Sequence, residues 1–304
     1  MENSIHYPFL LSLFVILTGY VLTRLKVLSL ELGKDISRLI VNVTLPAVIL
    51  NTLTTMELVG SLFFFPLICI AASVIILPFA KLFFNRLSLA DRGNAYLTVI
   101  GYNIGLFAYP LIEGLYGKDG LAGVAMFDVG NAFVAFGLLY LVARHFSPQE
   151  DKKITPVRIL KALLYSIPFM SYVIGLSLNI AGLSFPSIIG DAIALIARAN
   201  NALVLLVLGM TLRFTFPKKT AKVFARALAV RYGLGLVLGF AAFFLLPFDI
   251  FYRRILLIGL LLPAPLVIIP YAAENELDME FAGTYANASV VISFAIMWLI
   301  ASIT

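Results

Sequence analysis

LTVIGYNIGLFAYPLIEGLYG, from Leu97 to Gly117, is long and apolar enough to cross a bilayer, but its composition is unusual for a spanning helix. Its central part contains Gly101, Asn103 and Gly105, and Pro110 follows two-thirds of the way along. Proline removes a backbone donor, and hydrocarbon offers no water to satisfy the backbone groups that a break sets free. Such a break is tolerated where protein or a water-filled cavity covers it, so this stretch predicts a binding site.

A second stretch of the same kind lies in the other half of the chain. IGLLLPAPLVIIPYAAENEL runs from Ile258 to Leu277 and contains Pro263, Pro265 and Pro270. A shift of 160 residues (270 − 110) places Pro110 on Pro270. The same shift, without a gap, also aligns matching residues elsewhere, among them Pro8 with Pro168, Arg38 with Arg198 and Gly123 with Gly283. A constant shift across the chain predicts two repeats of about half the chain each.

The composition predicts an integral membrane protein. Hydrophobic residues make up 62% of the chain and charged residues 12%, and the mean hydropathy is +1.02, which leaves too little polar surface for a soluble globule. The formal charge of +6 does not indicate nucleic-acid binding, because the basic residues lie in short runs between apolar segments. Cys69 is the only cysteine, which excludes a disulfide framework within the chain.

Hydropathy divides the chain into ten predicted spans. They cover residues 6–25, 33–54, 60–84, 93–114, 120–144, 157–180, 187–212, 220–246, 252–273 and 280–302. We expect the first span to be retained, because no signal-peptide pattern precedes it. Residues 1–147 form a first five-helix repeat, 148–156 a cytoplasmic linker, and 157–304 a second five-helix repeat. Since five is odd, the second repeat enters the membrane from the opposite side, and an all-α fold with a 5+5 inverted repeat follows.

The distribution of basic residues predicts the orientation. Seventeen of the 22 Lys and Arg residues flank the first, third, fifth and seventh loops, all on one side of the ten-span arrangement. By the positive-inside rule that side is cytoplasmic, so both termini of this multi-pass cell-membrane protein are expected outside. Arg253 and Arg254 are the exceptions, because they fall on the outer side.

The two broken spans supply the candidate substrate site. Half-helix N-termini carry partial positive charge and free N–H groups, which suit a carboxylate. We expect side-chain contacts from Asn103 and Tyr109 in the fourth span and backbone contacts around Pro263, Ala264 and Pro265 in the ninth. The alternative is a pair of ordinary proline kinks, which are common in membrane helices. Equivalent positions in the two repeats favour the site.

Asp128 is the candidate for ion coupling. It is the acidic residue that lies deepest within a predicted span, and Asn131 lies at i+3 on the same face. An unpaired charge there costs about 2.5 kcal/mol or more, so the carboxyl must be protonated, paired or bound to a cation. The structural alternative is a permanent ion pair, for which Arg231 in the eighth span is the candidate charge partner. Arg231 can also extend toward the cytoplasmic interface.

Other polar groups favour a structural interpretation. Arg198, Asn200 and Asn201 lie in the seventh span, where such groups more often bond across helices than line a permeation route. The sequence contains no Walker loop, no set of zinc ligands and no paired intramembrane aspartates or Ser/His pair, so we expect neither an enzyme, nor a metal site, nor a cofactor. Coupling by a proton or a sodium ion stays open.

Several segments resemble the auxin efflux carrier family. They are NVTLPAVILNTL in the second span, GYNIGLFAYPLIEGLYG and GLAGVAMFD in the fourth and fifth, NNALVLLVLGMTL in the seventh, and LLLPAPLVIIPYAAENELD in the ninth. The resemblance covers essentially the whole chain. The seventh span has Ala202 where relatives commonly have proline, and the ninth lacks the usual Tyr-Gly after its alanines. These departures concern the substrate and not the fold.

The resemblance implies more than the residues alone. It implies a ten-helix inverted repeat in which helices 4 and 9 are broken and cross at the substrate site. It also implies an elevator-like motion of a transport domain (spans 3–5 and 8–10) past a scaffold (spans 1–2 and 6–7), often in a homodimer. Asn103 and Pro110 match the fourth-span crossover of that family, and Pro263 and Pro265 match the ninth. Gly105, between Asn103 and Pro110, is a further candidate substrate-site residue.

We therefore expect a secondary transporter that moves a small organic anion, such as a mono- or dicarboxylate, across the lipid bilayer. A related alternative is a transporter like the sodium–bile acid symporters, which are similar in architecture. The alternative from a different class is a non-transporting membrane receptor or scaffold, in which the prolines merely shape a helix bundle.

Overall fold

The structure, a computed structural model, describes residues 5–148, 156–213 and 220–303. Within these ranges the protein is helical and contains no β-strand. Most of the predicted linker at 148–156, with Lys152 and Lys153, lies outside the described residues, as do Lys218 and Lys219 of the seventh loop. The prediction of an all-helical protein is confirmed for the described part of the chain.

The first half of the chain contains seven α-helices and four short helical turns. The α-helices are α1 (His6–Arg24), α2 (Leu30–Leu39), α3 (Leu45–Leu53), α4 (Phe65–Phe84), α5 (Leu89–Val99), α6 (Tyr109–Phe133) and α7 (Leu139–His145). A 3₁₀ turn, Gly60–Phe64, precedes α4, and π-helical turns occupy Ile40–Thr44, Ile104–Ala108 and Val134–Leu138. Within α6, Gly117 has non-helical angles (φ 61°, ψ −152°), so the helical run changes direction there.

The second half contains seven further helices. They are α8 (Pro156–Leu164), α9 (Ile167–Ile180), α10 (Ser187–Thr211), α11 (Ala221–Leu245), α12 (Ile250–Gly259), α13 (Ile268–Glu274) and α14 (Met279–Ile303). The bend between α8 and α9 measures 71°. Ser166 begins α9 by accepting a hydrogen bond from the Phe169 N–H at 3.3 Å, and Asp249 begins α12 by accepting one from the Phe251 N–H at 2.8 Å.

Seven helical segments of the described chain are long and apolar enough to cross a membrane, and the bent pair α8–α9 would make an eighth. Each of the ten predicted spans overlaps at least one of the helices. The predicted spans that do not contain one sufficiently long helix of their own are the interrupted ones, because each helix of a broken span is short. The protein is a multi-pass membrane protein, while the ten-span inverted repeat stays a prediction.

Glycines allow the closest helix contacts. Gly19 of α1 and Gly209 of α10 pack so tightly against the neighbouring backbone that a Cβ at either position would clash with a carbonyl oxygen, of Leu206 or of Ile16. Gly130 of α6 faces the carbonyl of Pro66 in the same way. Small residues permit such approaches in membranes, where van der Waals contact drives helix association.

Buried apolar side chains form two clusters, and both breaks lie where the clusters meet. Ile100 belongs to the smaller cluster, whereas Tyr102, two residues later, belongs to the larger. Leu262 belongs to the larger cluster and Ala264 to the smaller. Each interrupted segment therefore passes from one of these clusters to the other within three residues.

Candidate functional site

The first break spans residues 100–103. Helix α5 ends at Val99, Gly101 takes a left-handed conformation (φ +71°), and helical structure resumes at Ile104. Glycine suits this position because a side chain would strain the backbone. The Asn103 side-chain oxygen accepts a hydrogen bond from the Leu106 N–H at 3.3 Å and so caps the turn that follows.

Pro110 does not cause this break. It lies at the start of α6, directly after the π-helical turn Ile104–Ala108 and seven residues after Asn103. The physical cause is Gly101 together with the cap at Asn103. Our expectation that proline interrupts the fourth span was wrong in position, although the span is interrupted.

The second break spans residues 260–267, between α12 and α13, and it contains both Pro263 and Pro265. It touches the first break directly, because the Asn103 N–H donates a hydrogen bond to the Pro263 carbonyl at 2.8 Å. These residues are 160 positions apart (263 − 103), the shift that relates the two halves of the sequence. Proline has no N–H, so Pro263 cannot return the bond that a symmetric pair would form.

Asn131 holds the first break in place. Its side-chain oxygen accepts a hydrogen bond from the Tyr102 N–H at 2.9 Å, and its side-chain nitrogen donates to the Tyr102 carbonyl, also at 2.9 Å. The amide side chain thus replaces the helical partners that the break removes from this peptide. Asn131 is a brace for the backbone and is itself buried.

Hydroxyl groups hold the second break. The Ala264 N–H donates to Ser289 Oγ at 3.0 Å, and Ser293 Oγ donates to the Leu261 carbonyl at 2.7 Å. Tyr232 of α11 hydrogen-bonds to Ser293 Oγ at 2.9 Å and donates to the Ser289 carbonyl at 2.8 Å. The sequence did not point to these residues, because serine is common in apolar helices.

Arg231 joins the two breaks. Its guanidinium donates to the carbonyls of Thr98 (2.9 Å), Gly101 (2.7 Å) and Leu262 (2.7 Å). It also lies over the Tyr102 ring, 5.4 Å from the ring centroid. These carbonyls lie near the ends of α5 and α12, where a helix dipole favours positive charge. The side chain is 4% exposed.

The ion pair of Arg231 with Asp128, offered by the sequence as an alternative, does not occur among the described residues. The salt bridges there join Arg38 to Asp35 and Arg158 to Glu274. Arg231 is occupied by backbone carbonyls, and Asp128 has hydrogen-bond donors of its own.

Asp128 lies in a buried chain of hydrogen bonds. Asn131 Nδ2 donates to Asp128 Oδ1 at 3.0 Å, and the Tyr172 hydroxyl donates to Oδ2 at 2.5 Å. The Tyr172 hydroxyl also lies 3.2 Å from that of Tyr109. Asn131 therefore connects the carboxyl to the first break at Tyr102, whereas Tyr172 connects it to α9. Tyr172 was not predicted, since one tyrosine in a chain with 13 carries no sequence signal.

The structure divides the predicted substrate residues into two groups. Asn103, Pro263, Ala264 and Pro265 meet at the crossing of the breaks, where a Cβ on Gly101 would lie 3.1 Å from Pro265 Cγ. Tyr109 belongs to the Asp128 network, Pro110 lies in the first turn of α6, and Gly105 faces Leu45 of α3. The Asn103 side-chain nitrogen is buried and has no hydrogen-bond partner among the described residues.

A further acidic residue was missed. Glu113, one turn beyond Tyr109, is half-buried, and its carboxylate accepts a hydrogen bond from Asn201 Nδ2 of α10 at 2.5 Å. Asn200 accepts one from the Thr44 hydroxyl at 2.8 Å. The expectation that Asn200 and Asn201 bond across helices therefore agrees with these contacts. In the described ranges, no three His, Cys, Asp or Glu side chains are grouped so that they could hold a metal ion.

Interrupted, mutually contacting spans with buried polar groups define a class of membrane transport protein. The comparison with known families agrees, because the model of a family described as "Membrane transport protein" matches residues 6–304. The chain belongs to this family, which is the auxin efflux carrier-like membrane transport family. The resemblance found in the sequence is thus confirmed.

Two archaeal relatives support the same class. The chain is similar to an uncharacterized transporter of Methanothermobacter thermautotrophicus, with 26% identity over 286 residues and 92% of each chain covered. It is also similar to an uncharacterized transporter of Methanocaldococcus jannaschii, with 23% identity over 213 residues and 67% of each chain covered. The family and these names indicate a transporter rather than an enzyme.

Proposed function

We propose that the protein is a secondary transporter that binds a small organic anion, such as a mono- or dicarboxylate, at the crossing of the two breaks. The observation that carries the proposal is the hydrogen bond from the Asn103 N–H to the Pro263 carbonyl. It joins two interrupted segments at positions that the sequence repeat makes equivalent. A break that serves only to bend a helix needs no partner at the equivalent position of the other repeat.

The charges around the crossing favour an anion. Arg231 carries a permanent positive charge, and all three of its hydrogen bonds go to neutral carbonyls. The Asn103 side-chain nitrogen is a free donor at the same place. The turn that starts at Ile104 directs its first backbone N–H groups toward the break. A carboxylate would satisfy the free donor and balance the charge.

The site residues in this proposal are those predicted from the sequence: Asn103, Gly105, Tyr109, Pro110, Pro263, Ala264 and Pro265. Contacts at the crossing support the direct roles of Asn103, Pro263, Ala264 and Pro265 in holding the anion. Tyr109 acts through its contact with Tyr172, and Gly105 and Pro110 shape the start of the helix beyond the break.

Asp128 is the proposed coupling group, with Asn131 as its link to the break. Its two carboxylate oxygens each accept a hydrogen bond, so the charged form is stabilised without a basic partner. Movement of Tyr172 would remove one donor and favour uptake of a proton or a sodium ion. The crossing would then respond through Asn131, which touches both Asp128 and Tyr102.

The proposed architecture is a ten-span 5+5 inverted repeat in the cell membrane, with both termini outside. A transport domain of spans 3–5 and 8–10 moves like an elevator along a scaffold of spans 1–2 and 6–7, and the chain forms a homodimer. In support, polar contacts cross this boundary, among them those of Asp128 with Tyr172, Tyr109 with Tyr172 and Glu113 with Asn201. Hydrogen bonds of this size can break and re-form as the domain moves.

Uptake by proteoliposomes tests the proposal. Protein reconstituted in liposomes and offered a panel of labelled mono- and dicarboxylates, under imposed proton, sodium and potassium gradients, should accumulate at least one of them. In the matched Asn103→Leu variant, which has the same number of side-chain heavy atoms but lacks both the free donor and the cap on the Leu106 N–H, this uptake should be strongly reduced. No uptake of any anion under any gradient would contradict the proposal.

Asp128→Asn separates coupling from binding. Asparagine preserves the size of the side chain and its acceptance of the Tyr172 hydrogen bond, so we expect a folded protein. Concentrative uptake should fall by at least about 100-fold, equivalent to about 2.7 kcal/mol, while exchange of labelled for unlabelled anion continues. Unchanged concentrative uptake would remove Asp128 from the mechanism.

A further inference from the structure

A cavity of about 540 Å³ lies where α1 and α10 end and α2 begins. Three basic side chains line it, those of Arg24, Lys26 and Arg213, and no acidic side chain does so among the described residues. None of the three forms an ion pair in the described part of the chain. Three uncompensated cations around one cavity indicate a site for an anionic group.

Four apolar residues also line this α1–α10 cavity, together with three that carry hydroxyl groups. The apolar residues are Leu28, Leu30, Met210 and Leu212, and the hydroxyls belong to Tyr20, Thr23 and Ser29. Beside it, Leu25 and Val27 are 67% and 66% exposed. Exposed apolar residues next to exposed cations mark the level at which a membrane protein meets lipid headgroups. The cavity thus combines positive charge with the apolar surroundings that an acyl chain needs.

The backbone at Lys26 supplies an independent observation. Lys26 takes a left-handed conformation (φ 59°) in the turn between α1 and α2. Its N–H donates to the Thr23 carbonyl at 3.1 Å, which places it in the position where glycine commonly ends a helix. Glycine would adopt this conformation without strain, whereas lysine adopts it at a cost. A non-glycine residue in this conformation is a candidate for a functional role.

A second cavity provides a comparison. It measures about 490 Å³ and lies between α4, α5 and α7, with Lys81 and Arg92 in its wall. The Arg92 guanidinium donates to the carbonyls of Leu87 and Asn85, so its donors are occupied by backbone. The arginines of the α1–α10 cavity have no such hydrogen bonds among the described residues, and Arg24 lies instead over the Tyr20 ring.

We propose that the α1–α10 cavity is a binding site for the phosphate group of an anionic membrane phospholipid, held by Arg24, Lys26 and Arg213. The site is separate from the crossing of the two breaks, and it does not depend on which solute the protein carries. A free phosphate ion has the same charged oxygens as the headgroup, but it has no acyl chain that could contact the apolar residues of the cavity.

The test uses the full-length protein in nanodiscs of phosphatidylcholine to which phosphatidylglycerol is added in steps. The melting temperature should rise with phosphatidylglycerol, and mass spectrometry of the released protein should detect the bound lipid. Each of Arg24→Gln, Lys26→Gly and Arg213→Gln should weaken the apparent affinity about fivefold, since one basic residue near an anionic surface contributes about that much. Lys81→Gln, in the second cavity, is the matched control and should leave the affinity unchanged.

Lys26→Gly distinguishes loss of binding from loss of folding. Glycine relieves the left-handed backbone, so this variant should be at least as stable as the parent in pure phosphatidylcholine while losing phosphatidylglycerol affinity. Equal losses for Lys81→Gln and Lys26→Gly would overturn the proposal, because binding would then follow overall charge. It would also be overturned if inorganic phosphate at millimolar concentration stabilised the protein as strongly as phosphatidylglycerol does.

Discussion

The two breaks begin 160 residues apart, which is the shift found in the sequence, but they differ in chemistry. The first, at residues 100–103, relies on a glycine and an asparagine and is braced by the amide of Asn131. The second, at residues 260–267, contains two prolines and is braced by the hydroxyls of Ser289 and Ser293. The two halves of the chain therefore share an interruption but not the residues that produce it.

The difference extends to charge. The brace of the first break also contacts a carboxylate, because Asn131 donates to Asp128. The brace of the second break contacts no carboxylate in the described part of the chain, because Tyr232, Ser289 and Ser293 bond to one another, to the Ala264 N–H and to backbone carbonyls. We infer that the first break responds to changes in charge and the second holds the geometry. Arg231 is common to both breaks, because it donates hydrogen bonds to a carbonyl in each, those of Gly101 and Leu262.

The largest effect is expected at Arg231, since its removal affects both breaks at once. Arg231→Met leaves three buried carbonyls without donors, and each unsatisfied group costs about 1–3 kcal/mol, so we expect at least about 3 kcal/mol of lost stability. Arg231→Lys, which keeps the charge without the planar fork, should fall between the parent and Arg231→Met. The midpoint of thermal unfolding in detergent measures both.

Arg226→Met is the control for this experiment. Arg226 lies on the same helix, is exposed and makes one hydrogen bond, to the Phe83 carbonyl at 3.2 Å. Its removal should cost less than about 1 kcal/mol. Equal shifts for the variants at 226 and 231 would show that Arg231 does not join the breaks.

A smaller effect separates the two braces. Asn131→Leu removes both hydrogen bonds to the Tyr102 backbone, and we expect a loss of about 2–4 kcal/mol. Ser289→Ala leaves the Ala264 N–H unpaired, and we expect it to lower the free energy of unfolding by about 1–2 kcal/mol. Of these two variants, only the one at position 131 should also change the dependence of uptake on the imposed gradient, because Asn131 hydrogen-bonds to Asp128 and Ser289 does not. A gradient dependence altered equally in both would refute the distinction between the breaks.

The smallest change in stability is expected for Tyr172→Phe. This variant loses one hydroxyl, about 1 kcal/mol, and keeps the aromatic packing. The carboxylate of Asp128 then has one donor fewer, so the pH at which half-maximal uptake occurs should move upward. Tyr165→Phe is the control, because Tyr165 is 83% exposed. If the pH dependence of uptake is unchanged in Tyr172→Phe, Tyr172 contributes packing and does not act on the Asp128 carboxyl.

Much of this arrangement could be predicted from hydropathy and from the repeat. Long apolar segments specify membrane helices because few other structures satisfy backbone groups in lipid, and paired interruptions 160 residues apart point to the place where the chain is unwound. Family membership followed from the same segments. The ten-span count, the orientation and the elevator motion remain proposals.

The remaining features depend on three-dimensional contact. The first break occurs at Gly101, nine residues before Pro110, and the sequence does not reveal which of its glycines takes a left-handed conformation. By charge, Asp128 was the expected partner of Arg231, but its guanidinium donates to three backbone carbonyls. Every residue has a carbonyl, so the sequence cannot identify these partners. Tyr172 and Ser289 belong to common residue types and act only through their neighbours.

The central claim is that a solute reaches the crossing of the two breaks, and thiol accessibility tests it most directly. Cys69 is buried, so Cys69→Ala provides a cysteine-free background in which Asn103→Cys is the reporter and Ile258→Cys, in the buried part of α12, is the control. We predict that a water-soluble maleimide labels position 103 in liposomes, that a transported anion slows the labelling at least about tenfold, and that position 258 stays unlabelled. If position 103 reacts no faster than position 258, or if no transported anion slows its labelling, the crossing is not the solute site.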